Sequence, residues 1–323
     1  MKMMSEAESV YRAAYPCDLH THTKRSDGND TCQELIDNAA LAGVEIVALA
    51  DHDIIAPETI EVDGETVQFT EYALSKGVAL LCGIEFSCDT IVEDVHIVAL
   101  GCDYSRSFFE AEYRNSILSK IDGYRKLCEL LTADGLAIDW DKDILQDGAR
   151  EASAVQRKHL FEAIAQKGYV KDWSDAKLLV KNTPKYEVKR KKPDPAYIIQ
   201  NIHAAGGIAI LAHPYLINEE AEWEGKPVSR AAYIDNIISA GLDGIEACYP
   251  YGKTSYGGVL PVDQIEGEVR RLYQDCVSIL SGGSDYHNDG KKGIKNPRML
   301  GEKGVTMDYF MNNPLLRRLL NTK

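Results

Sequence analysis

The sequence predicts an α/β fold: a barrel-like body of alternating strands and helices that a helical insertion interrupts. Short runs of branched apolar residues alternate with segments of helical periodicity up to residue 101 and again from residue 196. These runs are apolar nearly throughout, which is typical of parallel strands covered on both faces. Side chains that can bind metal ions follow several runs directly, as at the ligand-binding edge of parallel α/β folds.

The first part of the chain contains four predicted strands and one predicted helix. The helix, residues 31–42, has Asp30 or Thr31 as its N-cap, and Gly43 ends it. The predicted strands are rich in branched residues and span 15–20, 44–50, 78–82 and 95–101.

The segment 105–192 differs from its surroundings because it is charged and rich in helical periodicity. Amphipathic runs occupy 108–133, 154–167 and 175–180, and a basic stretch, 185–192, ends the segment. We therefore expect a barrel domain made of residues 1–104 and 193–323, with 105–192 as the helical insertion. Alternation then resumes, with helices at 196–205, 230–240 and 262–274 and strands at 207–212, 243–247 and 276–281.

Composition limits the classes of partner. The 323 residues carry a formal charge of −14, which disfavours tight binding to duplex nucleic acid. No apolar run is long enough to span a membrane, and residues 1–12 lack the apolar core of a signal peptide. The eight cysteines form no C-x-x-C pair and are expected to be reduced, so we expect a cytoplasmic protein.

Nine residues of metal-binding type lie at the ends of predicted strands. His20 and His22 alternate along one strand, so both imidazoles are directed at a single point. A single histidine at a strand end is usually structural, and this remains the interpretation for His203 and the starting one for His159. The nine residues are His20, His22, Asp27, His52, Glu85, His96, His213, Asp285 and His287. Their number and shared context predict a multinuclear metal hydrolase.

The segments that contain these residues resemble the PHP family, named for polymerase and histidinol phosphatase. The similar segments are Asp18-Leu19-His20-Thr21-His22, Ser26-Asp27-Gly28, Asp51-His52-Asp53, Gly83-Ile84-Glu85, Ala212-His213-Pro214 and Gly283-Ser284-Asp285-Tyr286-His287. Their order matches over residues 15–290. The resemblance implies a distorted (β/α)7 barrel that carries three divalent metal ions and hydrolyses phosphoesters.

The resemblance also implies how the nine residues share the ions. The first ion would be bound by His20, His22, Glu85 and Asp285, the second by Asp27, His52 and His287, and the third by His96 and His213 with Glu85 as a bridge. Some relatives have histidine where this chain has Asp27. Mixed imidazole and carboxylate ligands suit Mn²⁺, Zn²⁺ or Fe²⁺.

Candidate substrate residues come from the insertion and from the C-terminal part. By the resemblance, Arg157 and His159 hold a substrate phosphate, and His159 is the candidate general acid because it is not a metal ligand. Lys185, in the basic stretch, either belongs to a solvated loop or contacts a second phosphate. Lys291 follows the last ligand pair closely and is a further candidate.

The ligand set itself favours phosphate chemistry. Three divalent ions, three carboxylates and one bridging hydroxide leave a net charge of about +2, which complements a phosphomonoester dianion, and that hydroxide is the expected nucleophile. Asp18, Asp51 and Asp53 flank ligand histidines, where they either orient imidazoles or are exposed loop carboxylates.

We expect hydrolysis of a small phosphorylated metabolite, a nucleotide of the 3′,5′-bisphosphate type. A cyclic phosphodiesterase, a 5′-to-3′ exonuclease on short RNA and a non-catalytic metal-stabilised module are the alternatives.

Overall fold

The computed structural model describes residues 11 to 321. Of the segment inspected for a signal peptide, residues 1–12, all but the last two lie outside these residues. Two compact units are present. One contains the chain up to Phe109 and from Pro193 onwards, and the other contains Glu110–Lys192.

The first unit is built on one seven-stranded sheet and two short hairpins. In the part of the chain that is described, the strands are β1 Cys17–Thr21, β2 Ile46–Leu49, β3 Thr59–Val62, β4 Glu65–Gln68, β5 Ala79–Cys88, β6 Val95–Leu100, β7 Ile208–Leu211, β8 Glu220–Trp223, β9 Lys226–Ser229, β10 Gly244–Cys248 and β11 Ile279–Gly282. The large sheet has the order β1-β2-β5-β6-β7-β10-β11, and β3-β4 and β8-β9 form the hairpins. A parallel bridge between Thr21 and Tyr286 brings its two edges together, so the sheet is a nearly closed barrel. The predicted α/β barrel is confirmed.

One strand contradicts the expectation of a parallel sheet. Strand β6 runs antiparallel to both β5 and β7, whereas the other neighbouring pairs in the barrel are parallel. The connection from β5 to β6 is too short for the crossover that a parallel pair needs, so β6 returns beside β5 as in a hairpin. As a result, the start of β6 lies at the edge where the parallel strands end.

The helices cover the sheet and form the insertion. They are α1 Cys32–Ala42, α2 Phe69–Ser75, α3 Ser107–Ala133, α4 Arg157–Gln166, α5 Trp173–Lys181, α6 Pro195–Ala204, α7 Arg230–Ser239, α8 Val262–Tyr273, α9 Met307–Asn312 and α10 Pro314–Arg318. Thr31, one of the two expected N-caps, begins α1 in a capping box with Glu34, and Gly43 ends the helix with φ 83°.

Both faces of the barrel sheet are buried. Along β2, Val47 and Leu49 pack in one core with Leu35 of α1, while the alternate residue Ala48 packs in another with Phe310 of α9. This two-sided burial explains why the strands are apolar nearly throughout. In the second unit, Leu131, Leu160 and Val180 belong to a separate apolar core shared by α3, α4 and α5.

Two further features of the described residues concern the cysteines and the length of the apolar helices. The eight cysteines, all within the described residues, form no disulfide, and six of them are buried. Among the described residues, no helix combines the length and apolar character needed to cross a bilayer.

Candidate metal centre

The nine predicted ligands converge at one edge of the barrel. His20 lies near the end of β1 and His22 directly follows it, while His52 follows β2 and His213 follows β7. Because β6 is reversed, His96 near its start pairs in register with Ser87, close to Glu85 on β5. Asp285 and His287 follow β11, whose end lies so close to β1 that a Cβ at Gly283 would be 2.4 Å from the Cβ of His20.

Glu85 lies at the middle of the cluster, and each of its oxygens faces a different set of imidazoles. Its Oε1 is 3.0 Å from both His96 Nδ1 and His213 Nε2. Its Oε2 faces three ring nitrogens, His20 Nε2 at 3.2 Å, His22 Nε2 at 3.3 Å and His52 Nδ1 at 3.0 Å. One buried carboxylate therefore touches five of the six predicted ligand histidines.

The other two carboxylates lie on the remaining side of the cluster. Asp285 Oδ1 is 3.1 Å from His22 Nε2 and 3.4 Å from His287 Nδ1. Asp27 Oδ1 is 3.0 Å from His287 Nε2, and its Oδ2 is 3.8 Å from His52 Nε2. All nine predicted residues are thus part of one continuous set of contacts.

Buried polar atoms in this cluster lack hydrogen-bond partners among the described residues. They are His20 Nε2, His22 Nδ1 and Nε2, His52 Nδ1, His213 Nδ1 and Glu85 Oε2. An unsatisfied buried polar atom costs about 1–3 kcal/mol, so six of them in one place need a common partner. Imidazole nitrogens and carboxylate oxygens are donors to divalent metal ions, and the donor set fits a metal centre.

Three groups of these residues bring their donor atoms within 4.8 Å of one another. The groups are His22 with Asp27, His52 and His287; His20 with His22 and Glu85; and His52 with Glu85 and His96. They overlap with the three implied ligand sets but differ in detail, since His22 and His52 are each shared. His213 and Asp285 stand outside the groups but contact Glu85 and His22, respectively.

The charges of the cluster shift the pKa values strongly. Burial disfavours a charged Glu85, but the surrounding histidines outweigh it and hold its pKa well below the ordinary value. Burial likewise opposes a charge on His22, yet Asp285 and Glu85 raise its pKa to about 10. The same balance raises the pKa of His20 and of His213, whereas burial dominates at His52 and lowers its pKa.

Two of the three flanking aspartates are buried and hold loops in place. Asp18 accepts hydrogen bonds from the Ser284 backbone at 2.9 Å and hydroxyl at 2.5 Å. Asp51 accepts from the Thr23 backbone at 2.7 Å and hydroxyl at 2.6 Å. Asp18 and Asp51 are thus buried acceptors for backbone and hydroxyl donors, which contradicts their interpretation as exposed loop carboxylates. Asp53 accepts from the backbone of Ser87 at 2.8 Å.

Three further residues, which were not predicted from the sequence, contact predicted ligands. Glu246, buried in β10, lies 2.8 Å from His20 Nδ1, and its other oxygen accepts from the His213 backbone at 2.7 Å. Tyr249 donates to Asp285 Oδ2 at 2.6 Å, and Arg298 pairs with the same oxygen. A charged residue inside the apolar strand β10 was a usable signal for Glu246. Arg298 lies in a loop and carries no comparable signal.

The candidate substrate residues have partners of their own. Arg157 and His159 share one turn of α4 in the second unit, where His159 Nδ1 accepts from the Gln156 backbone at 3.0 Å. Partial burial and nearby positive charge lower the pKa of His159. Lys185 pairs with Asp134 at 2.5 Å. Lys291 pairs with buried Asp30 at 2.6 Å and with Glu34 at 2.9 Å, all in the first unit.

His203 has a structural contact outside the cluster, as its position in the sequence favoured. Its Nε2 lies 2.8 Å from Asp243 Oδ2, just before β10 begins.

Comparison with known proteins identifies the family. The PHP domain model matches residues 18–189, more than half of the chain. The chain belongs to the PHP family. A 3′,5′-nucleoside bisphosphate phosphatase of Chromobacterium violaceum is 30% identical over 85% of this chain and 88% of its own length. A 5′-3′ exoribonuclease of Haemophilus influenzae is 31% identical over 65% of this chain and 72% of its own.

Two further matches extend over most of this PHP protein. A phosphoribosyl 1,2-cyclic phosphate 1,2-diphosphodiesterase of Eggerthella lenta is 25% identical over 84% of the chain and 93% of its own length. A solved structure from Bifidobacterium adolescentis, described as a metal-dependent phosphoesterase, superposes with a TM-score of 0.66 at 25% identity and covers 96% of this chain and 97% of its own. The protein is a metal-dependent phosphoesterase with a PHP fold, which confirms the predicted enzyme class.

Proposed function

We propose that this PHP protein removes a phosphate from a nucleotide of the 3′,5′-bisphosphate type. The observation that carries the proposal is the single cluster of the nine candidate ligands, centred on the buried carboxylate of Glu85. The substrate class is supported by similarity to the Chromobacterium violaceum phosphatase, which extends over more of both chains than the similarity to the Haemophilus influenzae exoribonuclease. The net charge of −14 also argues against a long polyanionic substrate.

We propose that the cluster binds three divalent ions, Mn²⁺, Zn²⁺ or Fe²⁺, with the ligand sets that the family resemblance implies. Such ions, when bound, neutralise phosphate oxygens and lower the pKa of bound water. The residues of the chain supply the geometry. Glu85 presents one oxygen to His20 and His22 and the other to His96 and His213, so it would contribute a ligand to two of the proposed sites. Tyr249 and Arg298 occupy Asp285 Oδ2 and leave Oδ1 turned towards His22.

Substrate binding is assigned to four cationic side chains. We propose that Arg157 binds a phosphate through its two-pronged guanidinium and that His159 transfers a proton to the leaving oxygen. Partial burial and nearby positive charge lower the pKa of His159, so its protonated form gives up a proton more readily than an ordinary imidazolium. Lys185 and Lys291 are weaker candidates, because each would have to exchange an acidic partner for substrate.

The test is a substrate panel with the purified full chain and added Mn²⁺, Zn²⁺ or Fe²⁺. The panel contains a nucleoside 3′,5′-bisphosphate, a nucleoside 5′-monophosphate, a cyclic phosphodiester and a short 5′-phosphorylated RNA. We expect the highest kcat/KM for the bisphosphate, with one equivalent of phosphate released. A higher kcat/KM for the cyclic diester or the RNA would replace the proposed substrate with that one.

Two histidine variants control the panel. His22→Gln should abolish turnover of every substrate, because it removes a buried ligand that contacts both Glu85 and Asp285. His203→Gln removes a histidine paired with Asp243 outside the cluster and should leave turnover unchanged. Full activity of His22→Gln would contradict the assignment of the cluster as the active centre.

A further inference from the structure

Glu246 joins two ligand histidines that lie on different strands. It is buried in β10, between β7 and β11, and makes one contact with each of its carboxylate oxygens. Oε1 lies 2.8 Å from Nδ1 of His20, and Oε2 accepts the backbone N–H of His213 at 2.7 Å.

The contact with His20 fixes where the imidazole proton lies. A carboxylate oxygen accepts hydrogen bonds, so His20 must carry its ring proton on Nδ1. In the neutral ring that binds a metal ion, Nε2 then keeps its lone pair, and this is the atom that faces Glu85 at 3.2 Å and Asp285 at 3.8 Å. A metal ligand needs an unprotonated nitrogen, and a carboxylate on the far nitrogen is the usual way to secure one.

The contact with His213 stabilises a backbone conformation that is unfavourable for His213 by itself. His213 has φ 31° and ψ 56°, in the left-handed region that is unfavourable for a residue with a side chain. Its buried N–H needs an acceptor, and Glu246 supplies it. This conformation turns the ring of His213 so that Nε2 lies 3.0 Å from Glu85.

We propose that Glu246 is a positioning residue of the metal centre, which holds His20 in the metal-binding tautomer and His213 in the metal-binding backbone conformation. The inference rests on the proposed metal centre. By the ligand sets given above, His20 and His213 serve different ions, so a single carboxylate sets the geometry of two ion sites.

Replacing Glu246 with glutamine distinguishes the positioning of the two histidines from simple packing, because the two side chains have nearly the same size. Glutamine has one acceptor and one donor group, so it can accept from only one of the two donors. If it accepts from the His213 backbone, its NH₂ faces His20 Nδ1 and forces the ring proton onto Nε2. If it accepts from His20, the His213 N–H meets a donor and the left-handed turn loses its support. Either outcome damages one ion site.

The chain provides a matched control near the other end of β10. Asp243 Oδ2 also accepts from a histidine ring, His203 Nε2 at 2.8 Å, and from a backbone N–H, that of Ala209 at 2.8 Å. Asp243→Asn therefore removes the carboxylate charge from a bridge of the same kind, just before the start of the same strand, but at residues outside the ligand set.

The experiment measures Zn²⁺ affinity by competition with a chromophoric chelator, together with thermal unfolding in EDTA and with excess Zn²⁺. We expect Glu246→Gln to weaken the tightest or second-tightest site by about 10- to 100-fold and to reduce the thermal shift that Zn²⁺ produces. Asp243→Asn should lower the unfolding temperature equally in both conditions and leave Zn²⁺ affinity unchanged. Glu246→Asp, which keeps two acceptors on a shorter side chain, should recover part of the affinity.

The kinetic readout separates positioning from substrate contact. With limiting Zn²⁺, kcat of Glu246→Gln on an aryl phosphate should fall, and excess Zn²⁺ should restore part of it with KM unchanged. Zn²⁺ affinity of Glu246→Gln within twofold of wild type would overturn the inference, as would equal losses in Glu246→Gln and Asp243→Asn. If Glu246→Gln does not fold, wild-type affinity in Glu246→Asp together with unaltered kcat also overturns it. Wild-type protein that binds no Zn²⁺ would instead refute the proposed metal centre itself.

Discussion

Metal binding at neutral pH should release protons from this protein, and the number can be worked out from the cluster. In the metal-free protein, neighbouring carboxylates raise the pKa of His20, His22 and His213 above the ordinary histidine value, although burial opposes the charge. His52 has a lowered pKa and carries no proton to release. Since metal ions bind only neutral imidazole, we expect about two to three protons per chain to be released at pH 7.

The cost of this exchange sets the pH dependence of metal affinity. With its pKa at about 10, removing the proton from His22 at pH 7 costs about 4 kcal/mol, three pKa units at about 1.4 kcal/mol each. This cost falls as the pH rises towards 10, so affinity should increase with pH. The sign is opposite for the metal-free fold. A histidine with a raised pKa stabilises it fully below about pH 6.5, and this contribution is lost as the pH rises through about 10.

Isothermal titration calorimetry with Zn²⁺ in buffers of different ionisation enthalpy gives the proton count directly. His203→Gln should release as many protons as wild type, whereas His22→Gln should release about one fewer and bind more weakly. Release of less than about one proton per wild-type chain would contradict the raised pKa values of these histidines. Zn²⁺ affinity that stays constant between pH 6.5 and 8.5 would contradict them equally.

Four further predictions concern the centre and its substrate. Elemental analysis after loading should find about three divalent ions per chain, and one ion or none would contradict the three-ion proposal. Turnover should fall on the acid side together with metal content, and a constant rate down to about pH 4.5 with metal retained would contradict the histidine ligands. Glu85→Gln should lower kcat by about 10³, because it disrupts contacts with five histidines, as measured by steady-state kinetics against His203→Gln. Arg157→Ala should raise KM for a bisphosphate more than for an aryl phosphate, with metal content unchanged, and Arg157→Lys should not restore it.

The convergence of the nine candidate ligands could be predicted because their positions at strand ends follow from local periodicity. Alternation along a strand puts His20 and His22 on one side, and the ends of parallel strands share an edge, as the contacts around Glu85 now show. The ends of α1 were equally local, since Thr31 and Gly43 act through neighbours in sequence.

Residues that act across the fold were not predictable in the same way. The role of Glu246 depends on its contacts with His20 and His213, which are far from it in sequence. The role of Asp18 depends in the same way on the backbone of Ser284. A single sequence shows which residues are polar, but it does not show which hydrogen-bond donor each of them contacts in the fold. The hairpins β3-β4 and β8-β9 were missed for a different reason: both are short, with exposed positions and little of the apolar pattern that marks a buried strand.

The reversal of β6 connects the irregularity of the barrel with its chemistry. If β6 ran parallel to β5, its start would lie at the opposite edge, about 17 Å away, since the six residues of β6 are joined by five steps of about 3.4 Å each. His96 could then not approach Glu85, and the third proposed ion would lose one of its two histidines. The short return after β5 is therefore part of how the site is built, because it places the beginning of one strand among the ends of the others. The same return explains why His96 stands at a strand start, whereas His52 and His213 follow strand ends.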